Sequence, residues 1–235
     1  MARCIIASTS ALHGRAPLDY FPDTIRNLFG SCREVLFIPY ARPGGISHEL
    51  YTEKVSKIFK NFDIRIRGIH TCEDPIKALQ EAEGYYTGGG NTFVLVKQLY
   101  QNKLMNVLEE QILSEKPYLG TSAGSNICGL TMETTNDMPI AKPESFKTLG
   151  ILPFNINPHY LDPDPNSWHN GESRETRIRE YHAFNSPPVI GLREGSWLEC
   201  IHKKITLRGE LSARIFEKGK SPYEIETGTD LSNFN

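Results

Sequence analysis

Residues 116–126 read KPYLGTSAGSN: a short apolar strand pattern that changes character at Gly120, with Thr121, Ser122 and Ala123 held between two glycines. The G-x-S-x-G spacing suits a sharp strand-to-helix turn that presents one hydroxyl. Residues two before and two after the serine must be small, because strand and helix close on each other there. Gly120 and Gly124 meet that demand, Ala123 keeps the first helical turn slim, and Ser122 is the candidate nucleophile. The competing use of such a serine is to N-cap the following helix.

Working outward, RCIIAST (3–9), EVLFIPYA (34–41), DIRIRGI (63–69), GYYTGG (84–89) and PYLGTS (117–122) read as strands. Between them, residues 17–29, 47–62, 73–83 and 91–115 carry apolar side chains at three- and four-residue spacing and read as helices. In 47–62, Ser47 is the expected N-cap and Leu50, Val55, Ile58 and Phe62 the expected buried stripe. Strand, helix, strand at this spacing implies parallel strands with right-handed crossovers, so an α/β fold with a largely parallel sheet covered on both faces. From 189 onward, Gly-containing turns at Glu194-Gly195 and Arg208-Gly209 predict antiparallel strands, added to the sheet edge or to a small flap. Residues 131–188 read as irregular chain over the carboxyl edge of the sheet, apart from a short helix in SRETRIREYHAF.

The chain has 235 residues, and no long linker divides it, so one domain over 1–235 is expected. Lys plus Arg number 26 against 28 Asp plus Glu, which gives a net charge of -2 and no basic excess for a nucleic-acid backbone or an anionic membrane. Five scattered cysteines without C-x-x-C spacing predict buried thiols in a reducing compartment. With no signal-peptide pattern at the start and no long apolar run, a soluble cytoplasmic protein is expected.

Ligands of open parallel sheets gather outside the carboxyl ends of the strands. TGGGNT (87–92), GTSAGSN (120–126) and the segment holding TTNDMPI and INPHY all reach that edge. A serine needs a base, and of seven histidines His159 stands out: it follows a short apolar run and Pro158, which suits a fixed ring at a strand end. His169, by contrast, lies in a polar loop. The acid that orients the ring is either Asp137, in a fixed turn, or Glu194, at a strand end; Asp162 and Asp164 rank lower in a Pro-alternating run. Three consecutive glycines at 88–90 imply close backbone approach, and one of their N–H groups with that of Ala123 would form an oxyanion hole. No G-x-G-x-x-G, H-E-x-x-H or cysteine pair appears, so neither a metal nor a cofactor is expected.

YYTGGGNTFVLVKQL, YLGTSAGSNICG, TTNDMPI, INPHY and GESRETRIREY, in this order, resemble the dipeptidase E family of alpha-aspartyl dipeptidases, peptidase family S51. The resemblance implies a class I glutamine-amidotransferase-like three-layer sandwich with serine in place of cysteine, and hydrolysis of dipeptides with an N-terminal aspartate, without metal. It puts the nucleophile on Ser122, the histidine on His159 and the preferred acid on Asp137, while Glu194 also matches a family position considered for the acid. Gly89, Gly90 and Asn91 fall on the loop that frames substrate and oxyanion. For the aspartyl carboxylate, Arg174 is the candidate, with Arg177 next; Glu172 or Asn91 would take the substrate's amino group. The family has Thr where Ser173 stands. Rival readings are a β-aspartyl or cyanophycinase-like hydrolase and a catalytically silent binding protein of the same fold; a monomer or homodimer fits either.

Overall fold

The computed structural model describes residues 2–163 and 171–234. In its first half, β1 (Ala2–Ala7), β2 (Glu34–Ile38), β3 (Arg65–Gly68), β4 (Tyr85–Thr87) and β5 (Pro117–Thr121) alternate with α1 (Pro22–Phe29), α2 (His48–Phe59), α3 (Pro75–Glu81), α4 (Thr92–Gln101) and α5 (Met105–Leu113). There follow α6 (Ala123–Asn126), β6 (Asn155–Pro158), α7 (Arg174–Phe184), β7 (Val189–Leu192), β8 (Ser196–His202), β9 (Lys204–Gly209), β10 (Ala213–Phe216) and β11 (Tyr223–Ile225).

The main sheet has the order β3-β2-β4-β5-β1-β8-β9. Its first five strands are parallel, and β8 and β9 extend it antiparallel beyond β1. Period-two alternation divides the strand residues between two cores. Cys4, Ile6, Leu36, Ile38, Tyr85 and Tyr118 face the core shared with α3, α4 and α5. Ile5, Ala7, Val35, Phe37, Tyr86 and Leu119 face the one shared with α1 and α2. Burial on both faces is why these strands read as nearly continuous apolar runs.

Both C-terminal options occur. The hairpin β8-β9 joins the sheet edge, while β10 and β11 leave it for a second sheet of order β11-β10-β7-β6, in which β6 and β7 run parallel. Strand β6 lies in the segment expected to be irregular; four residues, NINP, are too few to show a period, and their pairing partner is more than thirty residues away.

Two helix expectations need correction. The single helix over 91–115 is two helices, because Lys103 adopts φ +57° and Leu104 N–H turns back to Leu99 O. The bend keeps Leu99, Leu104, Leu108 and Ile112 in one core, where the burial outweighs the roughly 1–2 kcal/mol of a left-handed non-glycine residue. In α2, Ser47 does cap the helix, accepting from Leu50 N–H at 3.2 Å. Its buried seam is Val55 and Phe59, with Tyr51, Ile58 and Phe62 alongside, whereas Leu50 is 54% exposed. Among the described residues no helix is long and apolar enough to cross a membrane.

Candidate active site

The glycines at 120 and 124 are sterically required. A Cβ on Gly120 would stand 2.4 Å from Gly124 O, and one on Gly124 would stand 2.2 Å from Thr87 O. Between them Ser122 takes φ +55°, ψ -112°, a conformation that side-chain-bearing residues rarely adopt and that persists only when the surroundings over-determine it. Those surroundings are visible. Ser122 N–H donates to Ala7 O at 3.2 Å, and Ser125 Oγ sits 2.5 Å from Ala7 O and 2.8 Å from Gly120 O. Although Ser122 precedes α6, its side chain makes no capping bond. The hydroxyl is left for something else.

That something is His159, whose Nε2 lies 2.9 Å from Ser122 Oγ. The ring's Nδ1 lies 2.6 Å from Glu194 Oε1. A carboxylate only accepts, so Nδ1 carries the proton and Nε2 turns its lone pair to the hydroxyl. His159 itself has φ +54°. Its N–H donates to Ser8 Oγ at 2.8 Å, and Ser8 Oγ donates to Leu192 O at 2.7 Å.

Topology explains why Glu194 arrives there. Pro158 pairs with Leu192 at the carboxyl ends of the parallel strands β6 and β7, so His159 and the 193–194 segment emerge side by side. Because β8 runs antiparallel to β1, its first residue, Ser196, also starts at the edge where β1 ends, with Ser8 N–H on Ser196 O. Arg193 braces the segment: its guanidinium reaches Asp162, Glu224 and Ser212 at 2.8–3.0 Å.

The preference for Asp137 as the ring's partner is therefore corrected. Its Oδ2 receives Thr92 N–H at 2.7 Å, Thr92 Oγ1 at 2.6 Å and Thr135 Oγ1 at 3.0 Å, which fixes the carboxylate at the start of α4. That position is electrostatically favourable for an anion. It nonetheless lines the same small cavity as Ser122 and His159.

Gly89 lies against the serine: a Cβ there would be 2.9 Å from Ser122 Cβ. Gly90, at φ +148°, passes so close to Ala41 that a Cβ would be 2.2 Å from its carbonyl oxygen. Tyr51 Oη donates to Gly89 O at 3.4 Å and supports the loop from behind. The N–H groups of Gly89, Gly90 and Ala123 have no acceptor among the described residues. Asn91 holds the loop to its surroundings, with Oδ1 accepting from Val94 N–H at 3.1 Å and Nδ2 donating to Met138 O at 2.9 Å.

Arg174 opens α7 behind Ser173, whose hydroxyl caps the helix by accepting from Thr176 N–H. Burial first, then the neighbouring Arg177, pushes the Arg174 guanidinium down, and the charge of Asp137 opposes them. Among the described residues Arg174 has no ion-pair partner within 4 Å. Arg177 does: it pairs at 3.8 Å with Glu172, and both are exposed. Asp164 and His169 lie outside the described residues. No His, Cys, Asp or Glu cluster among the described residues could hold a metal. Ser8, Asn126, Thr92 and Thr135 escaped sequence reasoning; only Asn126, four residues after Ser122 and at the end of the short helix that Ser122 precedes, had a positional signal.

The family model for "Peptidase family S51" matches residues 4–208. A Peptidase E of Streptomyces coelicolor is 44% identical, over 97% of this chain and 93% of its own. A probable alpha-aspartyl dipeptidase of Drosophila melanogaster is 40% identical, over 97% and 95%. Two crystal structures share the fold. A putative peptidase E from Listeria monocytogenes EGD-e has TM-score 0.68 at 19% identity, covering 90% of this chain and all of its own. A peptidase from an acI-B1 Actinobacterium has TM-score 0.71 at 15% identity, covering 98% and 96%. The layering is consistent with the class I glutamine-amidotransferase-like fold.

Proposed function

The chain belongs to peptidase family S51, and on that footing we propose that it is a serine exopeptidase releasing N-terminal aspartate from α-linked dipeptides. The observation that carries the proposal is the unbroken chain from Ser122 Oγ through the His159 ring to Glu194, mounted on a strained elbow. Ser122 Oγ attacks the scissile carbonyl carbon while His159 Nε2 takes its proton. Glu194 keeps the ring in the tautomer that can accept it and stabilises the imidazolium formed. Negative charge developing on the carbonyl oxygen meets the N–H of Ala123 and an N–H of the Gly89–Gly90 loop. As the C–N bond breaks, Nε2 returns the proton to the leaving amine. Water, deprotonated by the same nitrogen, then attacks the ester and frees aspartate.

For specificity, a partly desolvated guanidinium at Arg174, without an ion-pair partner among the described residues, suits the substrate's side-chain carboxylate, which it can hold through two N–H groups. The name of the Drosophila relative supports the same substrate class. Five free cysteines suit a reducing compartment such as the cytoplasm.

The test is a panel of Asp-Leu, its β-linked isomer, Asn-Leu and Leu-Leu, run beside labelling with diisopropyl fluorophosphate. Turnover of Asp-Leu above the other three, with a label that is lost in Ser122→Ala, is the expected result. Preference for the β-linked isomer would move the protein to the cyanophycinase-like class. No label and no turnover would leave it a binding protein.

A further inference from the structure

A cavity of about 20 Å³ adjoins the serine, with Ser122, His159, Asn126, Thr92, Thr135 and Asp137 in its wall. It has room for about one non-hydrogen atom. All three donors to Asp137 reach the same oxygen, Oδ2, and Oδ1 receives no hydrogen bond among the described residues. Asn126 is almost completely buried; its Nδ2 donates to Ile156 O at 2.8 Å, and its Oδ1 is buried without a partner. The residues that carry a fixed carboxylate and an orphaned amide oxygen thus line one small cavity. Such a wall calls for a donor carrying positive charge.

Bond counting identifies the donor. If Ser122 attacks the carbonyl of the first residue, as the peptidase reading on which this inference rests requires, the α-nitrogen lies two bonds from the attacked carbon. It must then fall beside Ser122 itself, within reach of a cavity that Ser122 lines. We infer that Asp137 and Asn126 seat the α-ammonium group of the substrate, and that this seat restricts cleavage to the bond after the N-terminal residue. The side-chain carboxylate, farther along the same residue, is left to Arg174, whose charge interacts with that of Asp137. The role of Asp137 is thereby substrate binding, and neither Glu172 nor Asn91 is needed for the amine.

The experiment compares kcat/KM for Asp-Leu and succinyl-Leu, which is Asp-Leu with hydrogen in place of the α-amino group. Wild type should favour Asp-Leu by at least about 100-fold, the scale of one lost charge-assisted contact in a desolvated site. In Asp137→Asn that ratio should fall to within about fivefold of unity, and in Asn126→Ala it should drop by about tenfold. A purely structural Asp137 would slow both substrates alike and leave the ratio intact, which would overturn the inference. Equal use of the two substrates by wild type would also overturn it, and that arm needs no variant to fold. Should wild type cleave Asp-Leu while both folded variants keep its ratio, only the ammonium seat fails. If wild type cleaves neither substrate, the peptidase reading fails as well.

Discussion

Glu194 and Asp137 both stand at the Ser122–His159 pair, and the molecule holds them by different means. Glu194 is half exposed and sits on a turn braced by charge, where Arg193 is forked between Asp162 and Glu224. Asp137 is held by two threonines and the first amide of α4, without a cation in contact among the described residues. The first bonds to the imidazole, and the second lines the cavity beside the nucleophile with one oxygen that receives no hydrogen bond among the described residues. A motif that looks like an acid partner for histidine can therefore be held away from the ring, and the deciding fact is which strand ends meet.

Removing the nucleophile gives the largest effect and sets the floor for both carboxylates. Ser122→Ala should fold normally and lose roughly 10⁵–10⁶ in kcat, leaving only binding and oxyanion contributions. Single-turnover assays with Asp-Leu measure it, and a loss under tenfold would end the serine mechanism.

Glu194→Gln comes next, with kcat down by roughly 10³–10⁴ because the ring loses the acceptor that holds its tautomer. The same factor should appear with Asp-Leu and succinyl-Leu. That equality separates it from Asp137→Asn, which should act on the ratio. A Glu194→Gln enzyme within tenfold of wild type would return the acid's role to Asp137.

Arg174→Ala should cost about a hundredfold in kcat/KM for Asp-Leu and little for Leu-Leu, since only the aspartyl substrate loses a bidentate partner. Arg174→Lys should recover part of it, and Arg177→Ala, whose partner is the exposed Glu172, should cost less than threefold. If the Arg177 variant shows the larger loss on the substrate panel, the two arginines exchange roles.

The smallest expected effect concerns the charged brace. Hydrogen bonds from Arg193, with help from Ser212 and Arg214, hold the Glu224 carboxyl at about 2 instead of the usual 4.5. A depressed folded value adds stability that is complete above about pH 4.5 and is lost as pH falls toward 2. Glu224 is partly exposed, so screening keeps the contribution small. Melting temperature should therefore drop less between pH 6 and pH 3 in Glu224→Gln than in wild type. An equal drop would mean that the brace does not titrate, and the contrast with the uncharged hold on Asp137 would lose its energetic basis.

What the sequence by itself determined is what short-range sterics and periodicity control. Gly120, Ser122 and Gly124 announce the elbow because the clash they avoid lies within five residues and the next strand. The order of strands and helices through residue 121, apart from the break between α4 and α5, is legible because each element repeats its own apolar spacing. Leu50 misled the stripe of α2 because residues 50 and 51 point to adjacent faces, and only packing against Phe37 and Val55 selects Tyr51. Tertiary structure alone decided the imidazole's partner. His159 and Glu194 are 35 positions apart, brought together by the register of two four-residue strands. Asp137 was claimed by Thr92, 45 positions away. Asp and Glu are chemically equivalent as partners of a histidine, so nothing local ranks them. The choice belongs to strand pairing, which is settled by burial summed over the whole sheet rather than by any residue near the site.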